Sequence, residues 1–296
     1  MTRKQAYDYG VETLEAEGIM DADSDVRILL EDLCGIEREE LILHGEKIIS
    51  RTDTEKFMNA INRRLGHYPV QYITGKQEFM GLTFSVTPDV LIPRQDTEIL
   101  VEEVLKELND GSRILDMCTG SGCILLSLLY YSNDCEGVGV DVSDAALQVA
   151  KDNAGRLELD DTFDMLFIPG MQGKKHIDQS KIEFIESNLF NDVRGTFDII
   201  VSNPPYIKSS VIPTLMEEVR DYEPMLALDG KEDGLYFYRE IVKKSRDYLN
   251  GGGKLFFEIG YDQAQDAKCI MEEAGYKDVV VIQDYAHLDR VVWGRI

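Results

Sequence analysis

The chain has 296 residues, 44% of them hydrophobic, and Lys+Arg 31 against Asp+Glu 55 gives a formal net charge of −24. That length buries a real core and suits two domains or one large one. Non-specific grip on nucleic acid needs Lys and Arg against phosphate, so this balance argues against such a face and fits a small-molecule or protein partner. The five cysteines are odd in number and form no C-x-x-C or Cys/His cluster, which predicts a reduced cytosolic compartment and no structural zinc. The first residues lack the apolar core of a signal peptide. The longest apolar stretch, Cys123 to Tyr131, is far short of the roughly 20 residues that span a bilayer, so a soluble protein is expected.

Residues 1–75 read as helices. Ser24 precedes the apolar Val26, Ile28, Leu29, Leu30 and Leu33, and Gly35 follows as a stop. Thr52 to Glu55 has the form of a capping box. Phe57, Ile61 and Leu65 recur on one helix face before Gly66 and Pro69. Residues 76–93 alternate as a β-hairpin linker, with Leu82, Phe84 and Val86 on one side.

Over 94–296 strands and helices alternate. Helices are expected at 97–108, from Cys123, at 144–154, at 234–249 and at 263–274. The run Gly251, Gly252 and Gly253 would stop the helix at 234–249. Strands are expected at 114–116, 137–142, 182–185, 197–202 and 254–259, with a closing hairpin of 279–282 and 290–293. Residues 155–180 lack clean periodicity. The pattern predicts an α/β, Rossmann-like parallel sheet covered on both faces, carrying a small all-helical N-terminal domain.

Four segments carry chemistry, each at the carboxyl end of an expected strand, where open α/β sheets hold ligands. Asp116, Cys118, Thr119, Gly120, Ser121 and Gly122 form a Gly-rich turn that opens a helix. It lacks the Gly-Lys-Ser/Thr ending of a phosphate loop and the third glycine of the dinucleotide fingerprint. Asp141 ends the next strand, where an acidic group binds ribose hydroxyls, although a helix cap is also open to it. Asn188 suits an adenine edge and Leu189 the ring, or the pair makes a simple turn.

The fourth segment is Asn203-Pro204-Pro205-Tyr206, after the buried strand 197–201. A planar nitrogen is a poor nucleophile because its lone pair is conjugated, with an amide rotation barrier of roughly 18–20 kcal/mol. The Asn203 side chain and the Pro204 carbonyl can accept its two N–H hydrogens. The prolines restrict the backbone and hold those acceptors still. The Tyr206 ring can stack on a flat target. A Pro-rich turn that merely stops a strand is the plain alternative. An adenosine site beside a nitrogen clamp points to S-adenosylmethionine.

These residues resemble the release-factor glutamine methyltransferases, also called the HemK family. The likeness covers nearly the whole chain: Tyr72 to Gly75, Leu91 to Glu98, Asp116 to Ile124, Asn203 to Ile207, Tyr222 to Pro224, Ala227-Leu228, Asp233 to Leu235, Phe257 to Gly260 and Asp289 to Val291. It implies methyl transfer from S-adenosylmethionine to the side-chain amide of the glutamine in the Gly-Gly-Gln loop of peptide chain release factors. It implies that Asn203 and the Pro204 carbonyl hold the amide and that Tyr206 shapes the pocket. The turn at 118–122, Asp141 and the pair 188–189 would hold the cofactor, with Asn203 also contacting it, and the N-terminal domain would help grip the release factor. The family usually has Gly where Cys118 stands, Pro-Glu at Gln95-Asp96, Asp at Asn188 and a glycine near His287. Residues 156–180 look like an insertion.

An adenine amino-methyltransferase is the nearest rival, because the same clamp serves a flipped base. A non-catalytic release-factor-binding module is another. Glu223 fits either a pocket lining or a turn. Tyr236, Phe237 and Tyr238 read as core and helix surface, Trp293 as packing, and His44, His67 and His176 as surface or loop groups.

Overall fold

A computed structural model describes residues 1–159 and 177–296. Most of the 156–180 insertion, His176 included, lies outside the described residues. The chain divides into two compact units, Met1–Lys76 with Met216–Tyr222, and Gln77–Leu215 with Glu223–Ile296.

The first unit holds α1 (Arg3–Ala16), α2 (Ala22–Cys34), α3 (Arg38–Leu43), α4 (Arg51–Leu65) and α5 (Val70–Thr74). Its core is Leu14, Val26, Leu29, Leu30, Phe57 and Ile61, all fully or almost fully buried. A capping box of Thr2 and Gln5 starts α1. Asp21 rather than Ser24 stands at the α2 N-cap. The expected box at Thr52 is corrected too. Ser50 caps α4, its hydroxyl accepting from the Asp53 N–H at 3.0 Å, so Thr52 lies inside the first turn. Met216–Tyr222 joins this unit through buried Arg64, which pairs with Asp25 at 2.6 Å and Glu218 at 2.7 Å. The Tyr222 hydroxyl donates to the Gly66 carbonyl at 2.6 Å.

The hairpin of β1 (Lys76–Phe79) and β2 (Leu82–Ser85) starts on the last residue of the Met1–Lys76 segment and leads into the second unit. There follow α6 (Gln95–Glu107), β3 (Arg113–Met117), α7 (Cys123–Tyr131), β4 (Glu136–Asp141) and α8 (Asp144–Leu159), then β5 (Ile182–Glu186) and β6 (Phe197–Ser202). After the short α9 (Glu217–Tyr222) of the first unit come α10 (Met225–Leu228), α11 (Tyr236–Ser245), β7 (Leu249–Glu258), α12 (Ala264–Glu273), β8 (Lys277–Gln283) and β9 (Asp289–Arg295).

The seven-stranded sheet has the order β5-β4-β3-β6-β7-β9-β8. Five strands run parallel, but β9 is antiparallel to both β7 and β8. The sheet is therefore mixed, because a closing hairpin must return antiparallel. One face packs Leu100, Val104, Leu125 and Leu128 of α6 and α7 against Ile114, Ile199 and Phe256. The other packs Tyr238, Ile241 and Met271 of α11 and α12 against Leu115, Ile200 and Phe257. Strand β3 is buried at every position from Ile114 to Met117, as a strand covered on both sides must be.

The helix expected over 234–249 stops at Ser245, and the triple glycine lies inside β7. The β6–β7 register shifts there, between the pairs Phe197–Leu249 and Ile199–Lys254. The extra residues loop out, with Gly252 at φ +81° and Asn250 donating to Asp198 at 2.7 Å. The glycines allow a bulge in a strand rather than ending a helix.

Candidate functional site

Strand order reverses beside β3: β4 and β5 lie on one side, β6 and β7 on the other. Such a reversal leaves a crevice beyond the carboxyl ends of the strands. A cavity of about 340 Å³ occupies it. It is lined by Cys118, Thr119, Gly120 and Ser121 after β3, Asp141 and Val142 after β4, Asn188 and Leu189 after β5, and Asn203 and Pro205 after β6. Four segments far apart in sequence therefore meet in one place.

The turn after β3 is held from behind. Asp116 is fully buried, and its carboxylate accepts from the Thr119 hydroxyl at 2.6 Å. Burial, opposed by that bond, pushes its pKa up to about 7. Asp116 thus supports the turn and does not line the cavity. Cys118 adopts φ +64°, a left-handed geometry that L side chains avoid. Burial, reinforced by Asp141 and Asp116, raises its thiol pKa, so it stays neutral. Gly122 starts α7 at φ +80°, where a Cβ would press on Ala150 at 3.1 Å. It serves helix packing and also stands outside the cavity lining.

Asp141 is the joint between two strand ends. One carboxylate oxygen accepts from the Gly120 N–H at 2.9 Å and the other from the Ser143 N–H at 3.0 Å. Each oxygen has a further lone pair for a ligand hydroxyl. Burial raises its pKa against these backbone bonds. The helix cap also open to Asp141 falls to Ser143, whose hydroxyl accepts from the Ala146 N–H at 3.2 Å. Leu189 sits at φ +52°, and Ser187 fixes its loop by donating to the Leu189 carbonyl at 2.8 Å.

The clamp is braced by side chains from elsewhere in the second unit. Asn203 Nδ2 donates to the Thr97 hydroxyl at 3.3 Å. The Tyr206 hydroxyl donates to buried Glu258 at 3.1 Å. Its burial and the Glu258 charge raise its pKa, so it remains a neutral phenol. Gln263 Nε2 donates to the Tyr206 carbonyl at 3.0 Å, and Gln263 Oε1 accepts from the Gly260 N–H at 3.0 Å. A Cβ on Gly234 would meet that same Tyr206 carbonyl at 2.5 Å, so only glycine fits. Pro204 is buried, and neither it nor Tyr206 lines the cavity.

Three groups enter that sequence reasoning passed over. Tyr236 and Phe237 line the cavity, while only Tyr238 of that aromatic trio is core. Leu226 lines it too. Arg94 lines the cavity and pairs with buried Glu223, which places Glu223 in support of the wall. A turn after β6 brings 224–237 back over the strand ends, and no local pattern announces such a return.

The residues suit S-adenosylmethionine. Asp141 offers a carboxylate to ribose hydroxyls, and Val142, Leu189, Ile124 and Ala146 offer apolar walls to a flat ring. A Cβ on Gly120 would meet nothing within 4 Å, so the turn leaves space open there. Fold and site together define a Rossmann-like, S-adenosylmethionine-dependent methyltransferase.

The comparisons make the class particular. Residues 5–75 match the PrmC N-terminal domain family and residues 94–219 the methyltransferase small domain family. A release factor glutamine methyltransferase of Clostridium acetobutylicum is 42% identical over 275 residues, covering 90% of this chain and 89% of that protein. The same-named protein of Clostridium botulinum is 38% identical, covering 97% of this chain and 96% of its own. A solved methyltransferase from Pyrococcus furiosus shares the fold at TM-score 0.50 and 17% identity, over 83% of this chain and 98% of that one. The chain belongs to the release factor glutamine methyltransferase family.

Proposed function

We infer that this enzyme transfers a methyl group from S-adenosylmethionine to the side-chain amide nitrogen of the glutamine in the Gly-Gly-Gln motif of peptide chain release factors. The observation that carries this reading is the meeting of Asp141 and Asn203 in one cavity. When bound, S-adenosylmethionine supplies a methyl group on a sulfonium, already a good leaving group. The turn at 118–121, Asp141, Asn188 and Leu189 hold it. Asn203 Oδ1, on the cavity wall, accepts an amide proton and points the nitrogen's lone pair. Positioning of this kind recovers roughly 7–11 kcal/mol of barrier. No strong general base is required before transfer.

Tyr206 and Gln263 act from behind, keeping the Pro-Pro backbone in place. Leu226, Tyr236 and Phe237 line the cavity and keep water from the reacting atoms. The helical unit takes the release factor's body, with Ile42, Leu43 and Ile48 at 71%, 70% and 81% exposure available to a protein surface. A translation factor as substrate suits an enzyme of the cytoplasm. Among the described residues no helix is long and apolar enough to cross a membrane. With a net charge of −24, stable nucleic-acid binding is not expected.

The test supplies methyl-labelled S-adenosylmethionine, purified release factor and this protein, and locates label by peptide mass spectrometry. Label on the Gly-Gly-Gln glutamine, absent from a glutamine-substituted factor, is expected. Label on duplex DNA in a parallel reaction would transfer the clamp to adenine. Cofactor binding without transfer to either would support the non-catalytic module.

A further inference from the structure

A chain with a net charge of −24 repels a free carboxylate unless a cation stands where it binds. S-adenosylmethionine brings such a group: its methionine arm ends in an α-carboxylate and an α-ammonium. Among the described residues lining the cavity, the charged ones are Asp89, Asp141 and Arg94. Two are anions, so Arg94 is the cation available to the carboxylate.

Its place in the cavity suits that task. Arg94 stands at the N-cap of α6 and makes no side-chain cap bond. Its carbonyl accepts from the Thr97 N–H at 3.1 Å, and the Thr97 hydroxyl accepts from Asn203 Nδ2 at 3.3 Å. Arg94 therefore belongs to the clamp end of the cavity, not to the ribose end at Gly120 and Asp141. The methionine arm and the transferred methyl branch from the same sulfur, so the arm also lies toward the clamp.

Glu223 fixes the guanidinium from behind. The Glu223 side chain is 1% exposed and that of Arg94 is 40% exposed. Burying a carboxylate costs free energy that pairing often only offsets, so this pair gives direction more than stability. Glu223 engages Arg94 Nη2, and a guanidinium has five N–H donors in a rigid fork, leaving further donors for the space that Arg94 lines. The positive end of α6 adds to the field there. The first-turn carboxylates have their own partners: Asp96 pairs with Arg290 at 3.1 Å, and Glu98 accepts from the Met80 N–H at 2.7 Å.

We propose that Arg94, aimed by Glu223, binds the α-carboxylate of S-adenosylmethionine. That carboxylate persists in the product, so the contact is the same before and after transfer. It should govern cofactor affinity more than kcat at saturation. The inference rests on the cofactor reading and needs no release factor.

The test is calorimetry on the full chain with three ligands. They are S-adenosylmethionine, its decarboxylated analogue, and 5′-methylthioadenosine, which lacks the amino-acid arm. Arg94→Met is combined with Glu223→Gln, so that no buried carboxylate is left unpaired. The double variant should lose about 10–150-fold in affinity for S-adenosylmethionine. Its affinity for the other two ligands should stay within about threefold of wild type. Arg94→Lys keeps the charge and loses the fork, so its loss should be intermediate. An equal loss for all three ligands would mean that Arg94 only props the wall, and would overturn the proposal. An undiminished preference for the carboxylate in the double variant would overturn it too. So would unchanged cofactor affinity with a raised KM for release factor, which would assign Arg94 to the substrate. If the ligand pattern holds while wild type methylates no release factor, the substrate reading falls and the carboxylate site stands.

Discussion

The two ends of the cavity are built by different means. At the cofactor end the chain uses its own backbone. Cys118, Gly120, Gly122 and Leu189 take φ values of +64°, +54°, +80° and +52°, bending tight loops around the ligand space. The ties between those loops, Gly120 to Asp141, Asn153 to the Ser121 carbonyl and Ser187 to the Asp141 carbonyl, span 21, 32 and 46 residues. At the clamp end the backbone is stiffened by prolines and the bracing comes from far away. Asn203 reaches Thr97 across 106 residues, Tyr206 reaches Glu258 across 52, and Gln263 reaches the Tyr206 carbonyl across 57. A binding loop can be written locally, whereas a group that must hold a substrate nitrogen in one direction needs support from several elements.

The comparison separates binding from turnover, and variants can break it. The largest expected effect is at the clamp. Asn203→Ala removes an acceptor aimed at the reacting nitrogen and should lower kcat by about 10²–10³-fold, by analogy with losing one preorganised hydrogen-bonding group elsewhere. Steady-state methylation of release factor checks this. Next comes Asp141→Ala, which deletes a charged hydrogen-bond partner worth about 1.5–3 kcal/mol. Cofactor affinity measured by calorimetry should fall by about 10–150-fold, with kcat at saturation much less affected.

Asp116 sharpens the account of the turn through pH. Its pKa rises from an ordinary 3.8 to about 7 in the folded state, mainly by burial. Between those values the folded chain holds a proton there that the unfolded chain has lost. Stability contributed by this site therefore falls as pH rises from about 4 to about 7 and stays low above. Asp116→Asn should remove that fall. Urea midpoints at three pH values across the window should show the variant gaining on wild type by on the order of a few kcal/mol. Parallel curves would mean the carboxylate is not desolvated as described. The smallest effect is at Cys118. Its left-handed backbone should tolerate Cys118→Gly within about 1 kcal/mol, while β-branched Cys118→Val should cost about 1–2 kcal/mol more. Thermal melts decide.

The same contrast explains what the sequence disclosed. The turn at 118–122, Asp141, Asn188 and Asn203 were legible because each follows a strand whose apolar run marks its end. Asp116 and Gly122 read as cofactor contacts because they share the motif. Their carboxylate and packing roles show only when the strand and α8 are in place. Thr97, Glu258 and Gln263 were invisible as a group: each sits in an ordinary helix or strand pattern, and only sheet order brings them behind the clamp. Tyr236 and Phe237 read as helix residues because the return of 224–237 over the cavity has no local signature. The glycine run 251–253 was misread for a related reason. Glycine stops a helix or makes a bulge equally well, and the neighbouring strand β6 decides. Ser50 rather than Thr52 caps α4 because both positions offer a hydroxyl at acceptable spacing, and core packing of Phe57 and Ile61 sets the start.

The central claim is that Asn203 serves the reacting nitrogen and not the cofactor. The most direct measurement is the affinity of Asn203→Ala for S-adenosylmethionine, by calorimetry, beside its methylation rate. Near-wild-type affinity with turnover almost abolished is the expected result. Loss of cofactor binding in step with activity would place Asn203 in the cofactor site and contradict the division drawn between the two ends.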